Sequence, residues 1–271
     1  MSRRVGQPAA TAASRRPAYF TATLAKGLDV LEALSGLENA SLTELSGQLG
    51  VSGPTLFRIL ATLTARGYAE KHARTGRYRA TLKSWSLGAQ VARRLTLRDA
   101  ARPHLEALLA ETREAPHLAV LQGDGVVIID RLEAPHPVRV DTFVGQRAPA
   151  HCSATGKAIL AFQPKTALDA LFAEPLARYT AATIGERPGL ERELALVRER
   201  GYAVNQEEWR PGVCAIAVPI RGQAREVVAS LSLTMPTERF TRSAYDRRFL
   251  RPLRHAAAAI AGDLGASGHG G

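Results

Sequence analysis

Thr55, Arg58 and Thr62 share one face of a helical stretch and carry the most specific donor chemistry in this chain. Two hydroxyls and a guanidinium at helical spacing are the groups that reach phosphate oxygens and base edges of a nucleic acid. Ser52 stands just ahead, where it can cap that helix, and Pro54 is tolerated in the first turn because the N–H there would be unpaired anyway. Further along, Arg74 and Arg77 put guanidinium groups on or beside the turn-rich stretch His72-Ala73-Arg74-Thr75-Gly76, suited to backbone phosphates or a minor groove. A different chemistry lies near the C-terminus. Ser232 and Thr234 alternate with Leu231 and Leu233, and this period of two puts both hydroxyls on one face of a strand, where they suit a carboxylate or a hydroxyl. Ordinary edge hydrogen bonding is the alternative.

No catalytic or metal-binding set emerges. Gly156-Lys157 has the end of a phosphate loop, but His151 stands where its first glycine belongs and Ala158 replaces the Ser/Thr. His151 and Cys152 are neighbours without a third residue to orient them. Glu207 and Glu208 read as a solvated or structural pair rather than an acid–base dyad. The histidines lack zinc-ligand spacing. No cofactor is expected. Cys152 and Cys214 are too few and too far apart for a disulfide scaffold.

The elements that must position these groups follow from patterning. Ser41 and Glu44 form an S-x-x-E capping box. Leu42, Leu45 and Leu49 give the helix after it one buried face, and Gly50 follows where a left-handed turn residue is wanted. Leu56, Ile59, Leu60 and Leu63 form the inward stripe of the next helix, so residues 41–67 have the layout of a helix-turn-helix. Ala25–Leu34 is expected as a preceding helix with Leu28, Leu31 and Leu34 inward. Tyr68–Lys71 and Arg77–Thr81 can pair as a wing. Leu82–Leu95, with Leu82, Trp85, Leu87, Val91 and Leu95 at helical spacing, reads as a linker helix and dimer contact; a helix packed on its own domain is the alternative. Leu97–Thr112 continues as a helix.

Strands are expected from residue 117 onward: His117–Gln122 and Val126–Leu132 as a hairpin, then Val138–Val144, Tyr202–Asn205, Ala215–Arg221 and Glu226–Thr234. Helices are expected at Ser153–Phe162, Glu191–Arg200 and Ala244–Leu264. Strands and helices interspersed with short hairpins predict an α+β domain with a mostly antiparallel sheet. The expected division is a disordered basic arm at 1–19, a winged helix-turn-helix at 20–81, a linker helix at 82–96, an α+β domain at 97–265 and a disordered tail at 266–271.

Charge follows this division. The chain carries 36 Lys+Arg against 25 Asp+Glu. Residues 1–100 hold 15 basic and 6 acidic side chains, a surplus of nine, while residues 101–271 hold 21 and 19. A surplus confined to the segment with the helix-turn-helix is the footprint of a polyanionic partner. Apolar residues make up 45% of the chain, enough for packed cores, and no run approaches the ~18 apolar residues of a membrane span. The N-terminus lacks the apolar core of a secretory signal, so a cytoplasmic location is expected.

From about residue 22 to 264 the chain resembles the IclR family of bacterial transcription regulators. KGLDVLEAL, RILATLTARGYAEK, AHCSATGKAILAF, GYAVNQEEWRPGVCAIAVPI and ASLSLTMP occur in the family's order. The resemblance implies a GAF-like effector domain, homodimers or homotetramers bound to double-stranded operator DNA, and a small-molecule effector, commonly an organic acid. By match to the family's pocket, Ser153, Ala154, Thr155 and Gly156 form a helix start whose backbone meets the ligand, and free N–H groups there favour an anion. A capped helix holding water is the alternative. Asn205 matches a position often held by Asp, and Ala215 one that can be Cys, while Cys214 lies one residue earlier and should face away. An enzyme tethered to DNA by its N-terminal module is the rival reading, and it lacks a nucleophile–base or metal set.

Overall fold

The computed structural model describes residues 19–92, 96–172, 175–222, 224–241 and 245–267. Most of the expected basic arm and most of the C-terminal tail lie outside these residues. The chain divides into two compact units, Met1–Arg94 and Leu95–Gly271.

The first unit begins with α1 (Ala22–Ser35), α2 (Leu42–Leu49) and α3 (Gly53–Ala65). The capping box at the start of α2 is formed: Glu44 N–H donates to the Ser41 hydroxyl, and Ser41 N–H donates to the Glu44 carboxylate at 2.8 Å. Gly50 ends α2 in the left-handed conformation, at φ +63°, which only glycine adopts without strain. Val30, Leu34, Leu45, Leu56, Ile59 and Leu60 form the core of this unit with Ala69 and Tyr78 of the wing. Leu28 is exposed, against expectation. Steps of three residues each fall about 60° short of a full turn, so a Leu28–Leu31–Leu34 stripe drifts around the helix and Val30 takes the inward place. The wing pairs β1 (Ala69–Lys71) with β2 (Tyr78–Ala80) in antiparallel register. Then α4 (Leu82–Ala92) follows, presenting Leu82, Trp85 and Leu87 to solvent. The Val91 side chain and Leu95, assigned to the same stripe, lie outside the described residues.

The second unit is built on one antiparallel sheet. After α5 (Thr96–Thr112) come β3 (Ala115–Gln122), β4 (Gly125–Arg131), β5 (Arg147–Pro149), the short α6 (Ala154–Leu160), α7 (Lys165–Leu171) and α8 (Arg187–Arg200). Three further strands, β6 (Ala203–Gln206), β7 (Val213–Arg221) and β8 (Val227–Pro236), precede a π-helical segment at Tyr245–Leu250 and α9 (Arg251–Ser267). The strand order is β5-β4-β3-β8-β7-β6. One sheet face, with Leu118, Ile216, Val218, Leu231 and Leu233, packs on α5 and α9. The other carries Ala203, Ala215 and Ala217 against α6 and α8. Residues 138–144 form no strand. The apolar alternation there has no partner to pair with, and Val138 and Phe143 are exposed. The strand in this region is β5, three residues beyond.

Candidate functional site

Two places gather functional groups, one in each unit. In the first, the turn at Gly50 sets α3 so that Leu56, Ile59 and Leu60 face the core. Phe57, Arg58 and Thr62 are therefore exposed on the opposite side. Ser52 occupies the N-cap position, but its hydroxyl donates to the Thr55 hydroxyl at 3.0 Å rather than capping a backbone N–H. The Thr62 hydroxyl donates back to the Arg58 carbonyl at 2.9 Å. Among the described residues, Arg58 and Arg74 meet no carboxylate of the chain. Arg77 does: its Nη2 donates to Glu44 at 2.6 Å, and its Nε donates to the Asn39 side chain. Arg77 thus clamps the turn end of the wing onto the capping box of α2. Hydrogen bonds from Ser41, with Arg77 beside it, hold the Glu44 carboxyl below its ordinary range. Phe57, 53% exposed between the polar positions of α3, shares that outward face, and donor-based reading misses it. Its signal is a large apolar residue out of phase with the inward stripe.

In the second unit the alanine-bearing sheet face contains a polar patch. Register places Thr234 beside Ala115 and Ala215, Ser232 beside His117 and Ala217, and Ser230 beside Ala119 and Pro219. Asn205 lies beside Ala215. Directly opposed residues share a face, so Asn205, Ala215, Ser232 and Thr234 come together as the sequence suggests. Cys214 belongs to the other face, 3.5 Å from the Thr237 hydroxyl. His117 sits at the centre, buried, with Nδ1 3.0 Å from the Thr234 hydroxyl and Nε2 3.1 Å from the Thr142 hydroxyl. Burial, with a smaller contribution from the Arg131 charge, lowers its pKa to about 3. The ring is neutral near pH 7. Ser230 and Ser232 are buried, and neither hydroxyl has a partner. His117, Thr142 and Ser230 escaped sequence reasoning. The period of two that singles out Ser232 and Thr234 extends one step back to Ser230, whereas nothing local points to His117 or Thr142.

The α6 start has two roles. Ser153 caps the helix: its hydroxyl accepts from Gly156 N–H at 3.2 Å and donates to the Pro149 carbonyl at 2.8 Å. Gly156 is buried where a Cβ would lie 2.2 Å from the Ala150 carbonyl oxygen, so glycine is required there for packing. Ala154 is buried and Thr155 half-buried in the same turn. Lys157, 1% exposed, pairs with Glu208 at 2.6 Å. Both Lys157 and Glu208 are thereby accounted for as a buried ion pair that ties α6 to the segment after β6. Burial pushes the Glu208 carboxyl up, and the Lys157 charge opposes this. Burial also pushes the Cys152 thiol up to about 12, which leaves it protonated and a poor nucleophile. No group of three His, Cys, Asp or Glu residues able to hold a metal exists among the described residues.

Comparison with known proteins gives the same two parts. Residues 23–73 match the family described as IclR helix-turn-helix domain, and residues 89–262 match Bacterial transcriptional regulator IclR C-terminal. The chain is 33% identical over 217 residues to the HTH-type transcriptional regulator KdgR of Dickeya chrysanthemi, covering 80% of this chain and 71% of that protein. The crystal structure of an IclR-type transcriptional regulator from Alicyclobacillus acidocaldarius superposes with a TM-score of 0.78 at 30% identity, covering 91% of this chain and all of that one. An IclR homolog from Microbacterium hydrocarbonoxydans, solved in complex with 4-hydroxybenzoate, superposes with a TM-score of 0.74 at 27% identity, covering 90% of this chain and 99% of that one.

Proposed function

We propose that this chain, which belongs to the IclR family of bacterial transcriptional regulators, is a one-component sensor whose operator affinity is set by a small organic acid bound in its second unit. The observation that carries this reading is the pair of buried, unpartnered hydroxyls, Ser230 and Ser232, on the sheet face that also carries Ala119, Ala215 and Ala217. Leaving a buried polar group unsatisfied costs about 1–3 kcal/mol, a cost that a ligand with its own polar groups removes. Ser232, Thr234, Asn205 and Ala215 line the ligand from the sheet, and Ser153, Ala154, Thr155 and Gly156 from the α6 start. The relative solved with 4-hydroxybenzoate supports an acid as the ligand class.

In the first unit, Ser52, Thr55, Arg58 and Thr62 face the major groove of operator DNA, while Arg74 and Arg77 bring the wing to the backbone. The free guanidinium groups of Arg58 and Arg74 supply the phosphate and base-edge donors. The exposed apolar side chains of α4, with Trp85 at 66% exposure, support a homodimer joined through this helix. Paired heads then require a pseudo-palindromic operator. Coupling is thermodynamic: the acid binds one arrangement of the dimer better than another, and operator affinity shifts by that difference in free energy. A cytoplasmic location follows from this role.

The test begins with DNA fragments selected by the full-length protein from a genomic library. Their affinity is then measured by electrophoretic mobility shift with and without organic acids that raise the protein's melting temperature. An acid that stabilises the protein and changes operator affinity supports the reading. Selected fragments whose affinity no stabilising acid alters refute it.

A further inference from the structure

The hydroxyl patch continues across β3 to a charged residue that no sequence motif singles out. In the register of β3 and β4, Arg131 lies directly opposite His117, and His117 lies opposite Ser232. Arg131, His117 and Ser232 therefore form one row across three strands on the same sheet face. The buried side-chain polar atoms without a partner, among the described residues, number seven, and three of them belong to this row and its neighbour: Arg131 Nε, Ser232 Oγ and Ser230 Oγ. Ser232 and Ser230 are 1% and 0% exposed. Arg131 is 15% exposed at its side chain and holds Glu133 through Nη1 at 3.3 Å, which leaves Nε uncommitted. His117 spends both ring nitrogens on Thr234 and Thr142, so it acts as the floor between the open donors.

We propose that Arg131, Ser232 and Ser230 form the subsite that fixes the effector's charged group, with Arg131 supplying the cation. This rests on the reading of the second unit as an organic-acid sensor and names the part of the acid that is read. Donor chemistry sets the class. An uncommitted guanidinium N–H and a neighbouring hydroxyl match a carboxylate, for which guanidinium geometry is well suited. The backbones of Arg131 and Ser232 are about 10 Å apart, two strand spacings, a gap that the arginine side chain and a bound carboxylate span together. Ser230 lies about 7 Å from Ser232 along the strand, where it meets a second oxygen of the same ligand. The subsite therefore takes a short carboxylic acid that also bears a hydroxyl or a second carboxyl group. Glu133 already faces the Arg131 charge through Nη1, so a bound carboxylate adds its contact at Nε, beside neutral His117.

The test uses the full-length protein and matched probes: 4-hydroxybenzoate, lactate and malate, each beside its primary amide. Binding is read by calorimetry and by thermal shift. At least one acid is expected to bind the wild-type chain at least tenfold more tightly than its amide. Arg131→Gln should weaken that acid by tenfold or more while changing the amide little, and Arg131→Lys should restore part of the loss. Ser232→Ala should weaken the acid without lowering the melting temperature of the ligand-free protein, which a purely structural hydroxyl would do. Equal acid affinity in wild type and Arg131→Gln overturns this assignment and leaves the organic-acid reading standing, with the carboxylate held elsewhere. Equal affinity for acid and amide also overturns it. If none of the three acids binds the wild-type chain, the subsite is overturned, while the sensor reading stands or falls by its own test with stabilising acids and selected DNA fragments. Should Arg131→Gln not fold, Ser232→Ala carries the comparison, and unchanged acid affinity in that variant overturns the subsite.

Discussion

Removing the Ser232 hydroxyl should stabilise the ligand-free protein, although a core substitution ordinarily does the reverse. Ser232 is 1% exposed and its hydroxyl has no partner. Burying such a group without a hydrogen bond costs about 1–3 kcal/mol. Ser232→Ala deletes that cost and leaves behind a gap the size of one oxygen. Its neighbours His117 and Ala217 lose only a few dispersion contacts, about 0.1–0.2 kcal/mol each. The net expectation is a gain of about 1 kcal/mol, or about 2–4 °C in the melting temperature of a unit this size. The two tryptophans, Trp85 and Trp209, fall in different units. A Trp85→Phe background therefore lets Trp209 fluorescence follow the second unit alone. A midpoint raised in the ligand-free protein, with a smaller stabilisation by the bound acid than in the parent, is the expected pattern. A midpoint lowered by about 2 °C or more, the smallest predicted gain reversed in sign, would mean that the hydroxyl is satisfied in solution. A hydroxyl so satisfied calls for no ligand.

Other measurements probe the surrounding structure. Lys157→Met should destabilise the second unit by about 3–5 kcal/mol, because it leaves the Glu208 carboxylate buried and uncompensated. Urea denaturation would show that loss shrinking in acid as Glu208 takes up a proton. His117 accepts its proton near 6.5 when unfolded and only near 3 when folded. Stability should therefore fall as pH drops from 6.5 toward 3, by up to about 1.4 kcal/mol per pH unit, and His117→Asn should flatten that slope in pH-dependent melts. Arg74→Ala should weaken DNA uniformly and reduce the slope of log affinity against log salt by about one unit. Arg77→Ala should in addition speed proteolysis of the wing, since Arg77 ties it to Glu44 and Asn39; equal cleavage of both variants would refute the clamp.

Local rules were sufficient wherever one short segment contains its own cause. The capping box of Ser41 and Glu44, the left-handed glycine at position 50 and the stripe of Leu56, Ile59 and Leu60 together define the helix-turn-helix, because capping, turn conformation and helical periodicity act over a few residues. Alternation likewise put Ser232 and Thr234 on one face. The same rule misled at residues 138–144, since alternation describes a strand only when a neighbour is present to take its hydrogen bonds. Family order in the motifs pointed to the regulator, yet it said nothing of which atoms remain open for a ligand. That depended on strands meeting in a particular register. His117 and Ser232 are distant in sequence and adjacent in the sheet, and Arg131 joins them only through the pairing of β3 with β4. Lys157 and Glu208 looked like a fragment of a phosphate loop and half of an acidic pair until the fold buried them against each other. Burial and pairing are sums over the whole chain. Residue type and spacing determined what each group could do, and tertiary structure decided which hydroxyls and which guanidinium nitrogen were left without a partner.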